Sequence, residues 1–239
     1  MKLIIKNKPA DLHHKLVGLK KDINGTFGNL SKELKSELLK SLLDEQSFIC
    51  AYCMQKINEK NATIEHIIGQ NYIDENDNKL GEQNQLNYHN LLAVCNGKSC
   101  NKELHCDKNR ANYQQKNPKR RLFVTPLENR IVQNIKFTPK GMVYYDEFTE
   151  IKEIEKLKDY DSLNEIENIK YDIQKVLNLN CENLKGQRLN LIDALKKFTN
   201  NWQNKERVRK KLDEYSSNPS SKFSQVVIYH LSKKLKSNN

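Results

Sequence analysis

The chain has 239 residues, 30% of them charged and 37% hydrophobic, and 41 Lys and Arg against 30 Asp and Glu leave a formal charge of +11. That length supports one large or two small domains with real cores, so cysteine chemistry is not needed merely to hold the chain together. The opening "MKLIIKNKPADLHHKL" lacks a signal-peptide apolar region, and no stretch approaches the roughly eighteen apolar residues of a membrane span, so a cytoplasmic protein with no membrane role is expected. A basic excess also favours a polyanionic partner, because each cation set against a phosphate releases condensed counterions.

Residues 1–47 read as an irregular arm, with Pro9, Gly18, Gly25 and Gly28, followed by a helix. Ser31 is its predicted N-cap, and Leu34, Leu38, Leu39, Leu42 and Leu43 recur at helical spacing up to about Glu45. Residues 48–125 hold most of the cysteines and several histidines among Asn, Gly and Lys turns, with little apolar content. A block so poor in apolar residues needs a staple. From Pro126 the chain alternates, turns at Pro139 and Gly141 and alternates again, which predicts a β-hairpin from "RIVQNIKF" to "MVYYDEF". The remainder of 126–239 reads as helical, with Ile166, Ile169, Ile173, Val176 and Leu177 forming one apolar face. The fold class expected is therefore α+β.

Six cysteines in a reducing compartment are poor candidates for disulfides, and Cys50, Cys53, Cys95, Cys100 and Cys106 crowd together while Cys181 stands alone. Cys50-Ala-Tyr-Cys53 has the spacing that lets two thiolates reach one tetrahedral ion. Cys95, after the apolar "NLLAV", and Cys106, opening "CDKNR", are the first choice for the second pair. Cys100 is the spare, and His105 is a further candidate. Zinc held this way would replace missing core with folding free energy from metal binding.

A zinc closed by four thiolates has no open position for chemistry, so the other polar residues must be weighed separately. "ATIEHI" is a strand-like run ending in Glu65 and His66. A carboxylate there can bind a hard cation such as Mg²⁺ while the imidazole takes a proton from water. In chain order, Cys50, Cys53, Glu65-His66, Asn90, Cys95, Cys106-Asp107 and Arg110 together resemble the HNH nuclease superfamily. More narrowly, "CAYC", "IEHI", "YHNLLAVC" and "HCD" look like the PtuB-type HNH proteins of Septu and retron anti-phage defence systems. The match covers about 60 residues, 50 to 110, and the tail "VLNLN…L…R" fits more loosely.

The resemblance implies a zinc-stapled ββα-metal core at 48–125, flanked by the N-terminal helix and a mostly helical C-terminal region. It implies His66 as general base, Glu65 and Asp107 as ligands of a catalytic Mg²⁺ or Mn²⁺, and Asn90 as the residue that fixes the loop and orients His66. His105 is the alternative ligand, because many relatives carry His or Asn at the closing-helix position. The implied activity is metal-dependent cleavage of DNA or RNA, as an anti-phage effector. The implied partners are an ATPase of the PtuA type and a retron reverse transcriptase with its nucleic acid.

Residues 101–121 carry seven Lys or Arg against two acids, directly around the expected metal ligand. Lys108, Arg110, Lys119, Arg120 and Arg121 are the expected phosphate contacts. A second basic run, "KERVRKK" at 205–211, fits either a nucleic-acid strand or an acidic protein. The reading from a different class is a zinc-stapled module that binds nucleic acid or a partner and leaves it intact.

Overall fold

The structure, a computed structural model, describes residues 1–98, 103–147 and 163–236. Cys100 and Lys102 therefore lie outside the described residues. The arm begins with residues 1–9, turns into helix α1 (Ala10–Lys20) and continues through a loop to helix α2 (Lys32–Glu45). Ser31 opens α2 as its hydroxyl predicts, its Oγ accepting from the Leu34 amide at 3.1 Å. Leu38, Leu42 and Leu43 of α2 are wholly buried, which follows from their shared helical face.

Strands β1 (Ala62–His66) and β2 (Leu91–Cys95) pair antiparallel, with Ala62 opposite Cys95 and His66 opposite Leu91. Their connection carries the short helix α3 (Leu80–Asn84) and a 3-10 turn at Tyr88–Asn90. Helix α4 (Cys106–Lys116) follows β2, and β2 packs against both α2 and α4. Burial of all five β2 residues, read in the sequence as the unbroken apolar run "LLAV", is the result.

The return from β2 to α4 depends on Gly97, whose φ is +66°. A side chain there would place its Cβ 1.7 Å from the His105 carbonyl oxygen, whereas glycine lets the His105 amide donate to the Gly97 carbonyl at 2.9 Å. This close approach lies beside the point where Cys106 meets Cys95.

The predicted hairpin is present but shorter than its sequence pattern. Residues Asn129–Val132 form a helical turn, α5, and the ladder is confined to β3 (Ile135–Phe137) and β4 (Val143–Tyr145). The Glu128 carbonyl accepts from both the Ile131 and Val132 amides, so Ile131 enters the core from a turn. Beyond it come α6 (Glu165–Tyr171), extended by a π-turn at Asp172–Val176, then α7 (Glu182–Phe198), α8 (Lys205–Ser217) and α9 (Ser224–Lys236). A π-turn leaves carbonyls without their helical donors. Here Asn109 of α4 supplies them, its Nδ2 donating to the Lys175 carbonyl at 2.7 Å and the Val176 carbonyl at 3.0 Å.

The Cys106 amide also donates to Leu177 O at 2.9 Å, and Asn178 Nδ2 to Leu104 O at 2.8 Å. The helical region thus clasps the start of α4. One hydrophobic cluster runs without interruption from Met1 to Val226, through all three sequence regions. The architecture is α+β, and no described helix is long and apolar enough to cross a membrane.

Candidate functional site

Two sites share β1, β2 and α4. At one end, Cys50 and Cys53 of the loop after α2, Cys95 at the end of β2 and Cys106 at the start of α4 converge, their sulfurs all within 4.8 Å of one another and buried. The Sγ atoms of Cys53 and Cys95 are 3.6 Å apart. Four thiolates around one zinc at about 2.3 Å stand roughly 3.8 Å from each other. The four cysteines can hold a metal ion such as zinc. Burial works against charging Cys50, but hydrogen bonds from Cys106, Cys53 and Cys95 hold its thiol well below the usual range. The backbone follows the same demand: the Cys95 amide points at Cys50 Sγ, 3.3 Å away.

Arg188 of α7 is buried close by, donating to the Gly141 and Leu179 carbonyls at 2.6 Å each. Burial pulls its guanidinium down to about 10, while Cys53, Cys181 and Cys106 act in the opposite direction. Four thiolates on a divalent ion leave an excess of negative charge, and Arg188 is placed to offset it. It is the Arg that closes the tail pattern "VLNLN…L…R". His105 lies against the sulfurs, its Nδ1 3.3 Å from Cys106 Sγ and 3.8 Å from Cys95 Sγ. It does not line the cleft that holds Asp107.

At the other end, Glu65 and His66 of β1 and Asp107 and Arg110 of α4 line one open cleft of about 520 Å³, completed by Gly69, Gln70, Asn71 and Gln114. Cys106 and Asp107 are neighbours in sequence, yet the helical turn between successive side chains sends one to the sulfurs and the other to the cleft. The Glu65 and Asp107 carboxyls line the same cleft, and each influences the other's ionisation. Burial pushes Glu65 up to about 7 against the pull of Arg110, and Asp107 adds to the rise. Burial raises Asp107 too, with Glu65, Lys108 and Arg110 pulling the other way. Two adjoining carboxyls that resist joint ionisation are the arrangement a cation relieves.

No protein-family model matches the chain, and no curated protein matches it. The chemistry of the cleft therefore stands on its own geometry.

His66 is only 7% exposed. Its Nε2 meets the Gln85 carbonyl at 3.0 Å, so Nε2 carries the proton and Nδ1 keeps its lone pair. Burial pushes the imidazole down to about 4, with the Gln85 bond opposing and Arg110 assisting. A neutral ring with a free Nδ1 is able to accept a proton. Phe27, from the loop before α2, packs edge-on against the ring with centroids 4.5 Å apart.

Asn90 spends its whole amide on the backbone around His66. Its Oδ1 accepts from the Ile68 amide at 2.7 Å, and its Nδ2 donates to the Ile68 and Asn84 carbonyls at 3.1 Å each. It therefore ties the segment just after His66 to the segment just before Gln85.

Two residues expected on phosphates are placed otherwise. Arg110 is buried, its NH1 bonded to Glu65 Oε1 and to Tyr52 Oη at 3.1 Å, and its NH2 to the Ile67 carbonyl at 2.6 Å. It is the clamp that joins the knuckle, β1 and α4. Arg120 is committed to Asp172 at 2.8 Å and Asn168 at 2.6 Å, linking the segment after α4 to α6 and its π-turn. The basic count in the sequence cannot separate such inward guanidiniums from outward ones, because their partners come from distant parts of the chain. Lys108, Lys119 and Arg121 are exposed. Lys119 pairs loosely with Asp77 at 3.4 Å, and Arg121 lies over the Phe123 ring at 4.3 Å. In the second basic run, Arg207 and Lys211 lie over the Phe198 ring, at the junction of α7 and α8.

Sequence reasoning missed Tyr52, Phe27, Gln85 and Arg188. Tyr52 had a signal, since it sits inside the Cys50–Cys53 knuckle as a wholly buried phenol. Arg188 had one too, as the closing Arg of the tail pattern, and Phe27 and Gln85 had none.

Proposed function

We propose that this chain is a metal-dependent HNH-type endonuclease, with structural zinc on Cys50, Cys53, Cys95 and Cys106 and a Mg²⁺ or Mn²⁺ on Glu65 and Asp107. The observation that carries it is the cleft in which two adjoining carboxyls and a neutral histidine stand together. A hard divalent cation bound by the carboxylates supplies positive charge against which a scissile phosphate is stabilised. His66 Nδ1 takes the proton of the attacking water, while its Nε2 stays on Gln85. Asn90 keeps the two flanking backbone segments in register, so the ring does not turn away. Lys108, Lys119 and Arg121 supply exposed charge for a phosphate backbone. Sequence resemblance further supports an anti-phage effector role under a partner ATPase.

One observation favours the non-catalytic alternative, a zinc-stapled module that binds nucleic acid or a partner protein. Arg110 already engages Glu65, as a structural ion pair would. Cleavage of plasmid DNA and total RNA, with Mg²⁺ or Mn²⁺ against EDTA, decides between the two. Wild type should cut and His66→Ala should lose roughly 10²–10⁴-fold in rate with zinc content and cooperative folding retained. Binding without metal-dependent cutting, alone and with an adjacent ATPase, would establish the module instead.

A further inference from the structure

We propose that Phe27 and Gln85 are positioning residues for His66, holding its ring so that Nδ1 is the nitrogen left to accept a proton; this deepens the nuclease reading and rests on it. Neither residue belongs to β1, β2 or α4. Gln85 works with two different atoms: its backbone carbonyl takes His66 Nε2 at 3.0 Å, and its side-chain Oε1 takes the Phe27 amide at 3.0 Å. Phe27 closes the circuit by meeting the His66 ring edge-on, at 4.5 Å and 85°. One hydrogen bond fixes the tautomer, and one perpendicular aromatic contact holds the ring against turning away from it. A second-sphere bond of this kind decides which imidazole nitrogen is available.

The loop that presents Phe27 is itself built to a shape. Asn29 Nδ2 donates to the Asn24 carbonyl at 2.8 Å, and Lys35 Nζ to the Gly28 carbonyl at 2.9 Å. At Gly25 an added Cβ would fall 1.7 Å from the Leu19 carbonyl oxygen, so the loop can pass the end of α1 only with glycine there. The arm thus reaches the His66 ring from a loop well upstream in the sequence and sets the histidine on which proton transfer depends.

The test reads the imidazole directly. Nitrogen-15 spectra of the full chain at neutral pH should show His66 as a single tautomer protonated at Nε2 in the wild type. Phe27→Ala, Gln85→Ala and Gly25→Ala leave the Gln85 carbonyl in place but remove or loosen the aromatic contact that keeps the ring turned to it, so each should give a mixture of tautomers. Phe27→Tyr and Gln85→Glu, which keep the aromatic edge and the acceptor oxygen, should restore the single form. In cleavage assays the alanine variants should lower kcat roughly tenfold or more with KM within about twofold, because orientation and not binding is lost. Zinc content and melting temperature identify any variant that has merely unfolded, and the remaining variants carry the result. A wild-type tautomer in every folded alanine variant overturns the proposal. Since the spectra need no substrate, tautomer mixing in a chain that cuts nothing would sustain the positioning role and remove the nuclease reading.

Discussion

The two ends of the β1–β2–α4 unit are made from the same three elements and have opposite characters. At the Ala62–Cys95 end four sulfurs are enclosed, and each is aimed at its neighbours. At the His66–Leu91 end the carboxyls and imidazole border an open cleft. The difference follows from what each donor tolerates. Thiolates around a closed tetrahedral ion gain by exclusion of water, whereas a site that admits a phosphate, as the proposed function requires, cannot be sealed. Burial at the first end suits a structural metal, and burial at the second shifts the ionisation of Glu65 and His66.

Removing the metal from the closed end should give the largest effect. Structural zinc contributes on the order of 10 kcal/mol in small metal-stapled units, which rivals the whole stability of an ordinary domain. Strong chelation, or Cys53→Ser, should therefore abolish the cooperative thermal transition seen by circular dichroism and release one zinc per chain. An unaltered melting curve after complete zinc loss would mean that the hydrophobic cluster alone holds the fold.

Breaking the tie between the two ends comes next. Arg110 joins Tyr52 of the knuckle to Glu65 of the cleft, and Arg110→Met leaves a buried carboxyl without its cation. A loss of about 3–5 kcal/mol is expected in urea denaturation, with Glu65→Gln recovering much of it in the double variant. Additive losses would show that the two side chains are not coupled.

A third test lies outside both ends and gauges whether acid sensitivity belongs to the cleft alone. His230 of α9 is buried, and burial, helped by Lys233, Lys196 and Lys234, pushes it down to about 4. Its folded form binds fewer protons than the unfolded chain between about pH 4 and 6.5, so stability is full above that window and falls as pH drops through it. The loss amounts to at most about 3 kcal/mol. His230→Gln should flatten that part of the pH–stability curve; an unchanged slope would assign the sensitivity to other groups, His66 first.

The smallest effect is expected at the rim of the cleft. Lys108→Ala and Lys119→Ala should leave stability within about 0.5 kcal/mol and lower the salt dependence of nucleic-acid binding by about one counterion each. Arg120→Ala, by contrast, should destabilise the chain, because its partner Asp172 is fully buried.

Much of this was legible without coordinates where the determinants were local. The Ser31 cap, the leucine face of α2, the knuckle spacing at Cys50 and Cys53 and the strand ending in Glu65-His66 are each written within a few residues. The second cysteine pair was legible as a choice among candidates, since an apolar strand before Cys95 and a polar helix at Cys106 place those thiols on fixed elements. The hairpin was legible in kind and not in length, because the turn at Glu128 depends on Ile131 finding the core.

By itself the sequence determined the chemical types present: soft sulfur donors at metal-type spacing, carboxyls and an imidazole, and a basic excess around them. Only the tertiary structure decided which charges face inward. Arg110, Arg120 and Arg188 look like their neighbours in sequence and differ in being enclosed by residues tens of positions away. It also decided that Phe27 and Gln85 meet at His66. The physical reason is that donor chemistry is a property of a residue and its near spacing, whereas burial and orientation arise from contacts between segments that the chain order keeps apart.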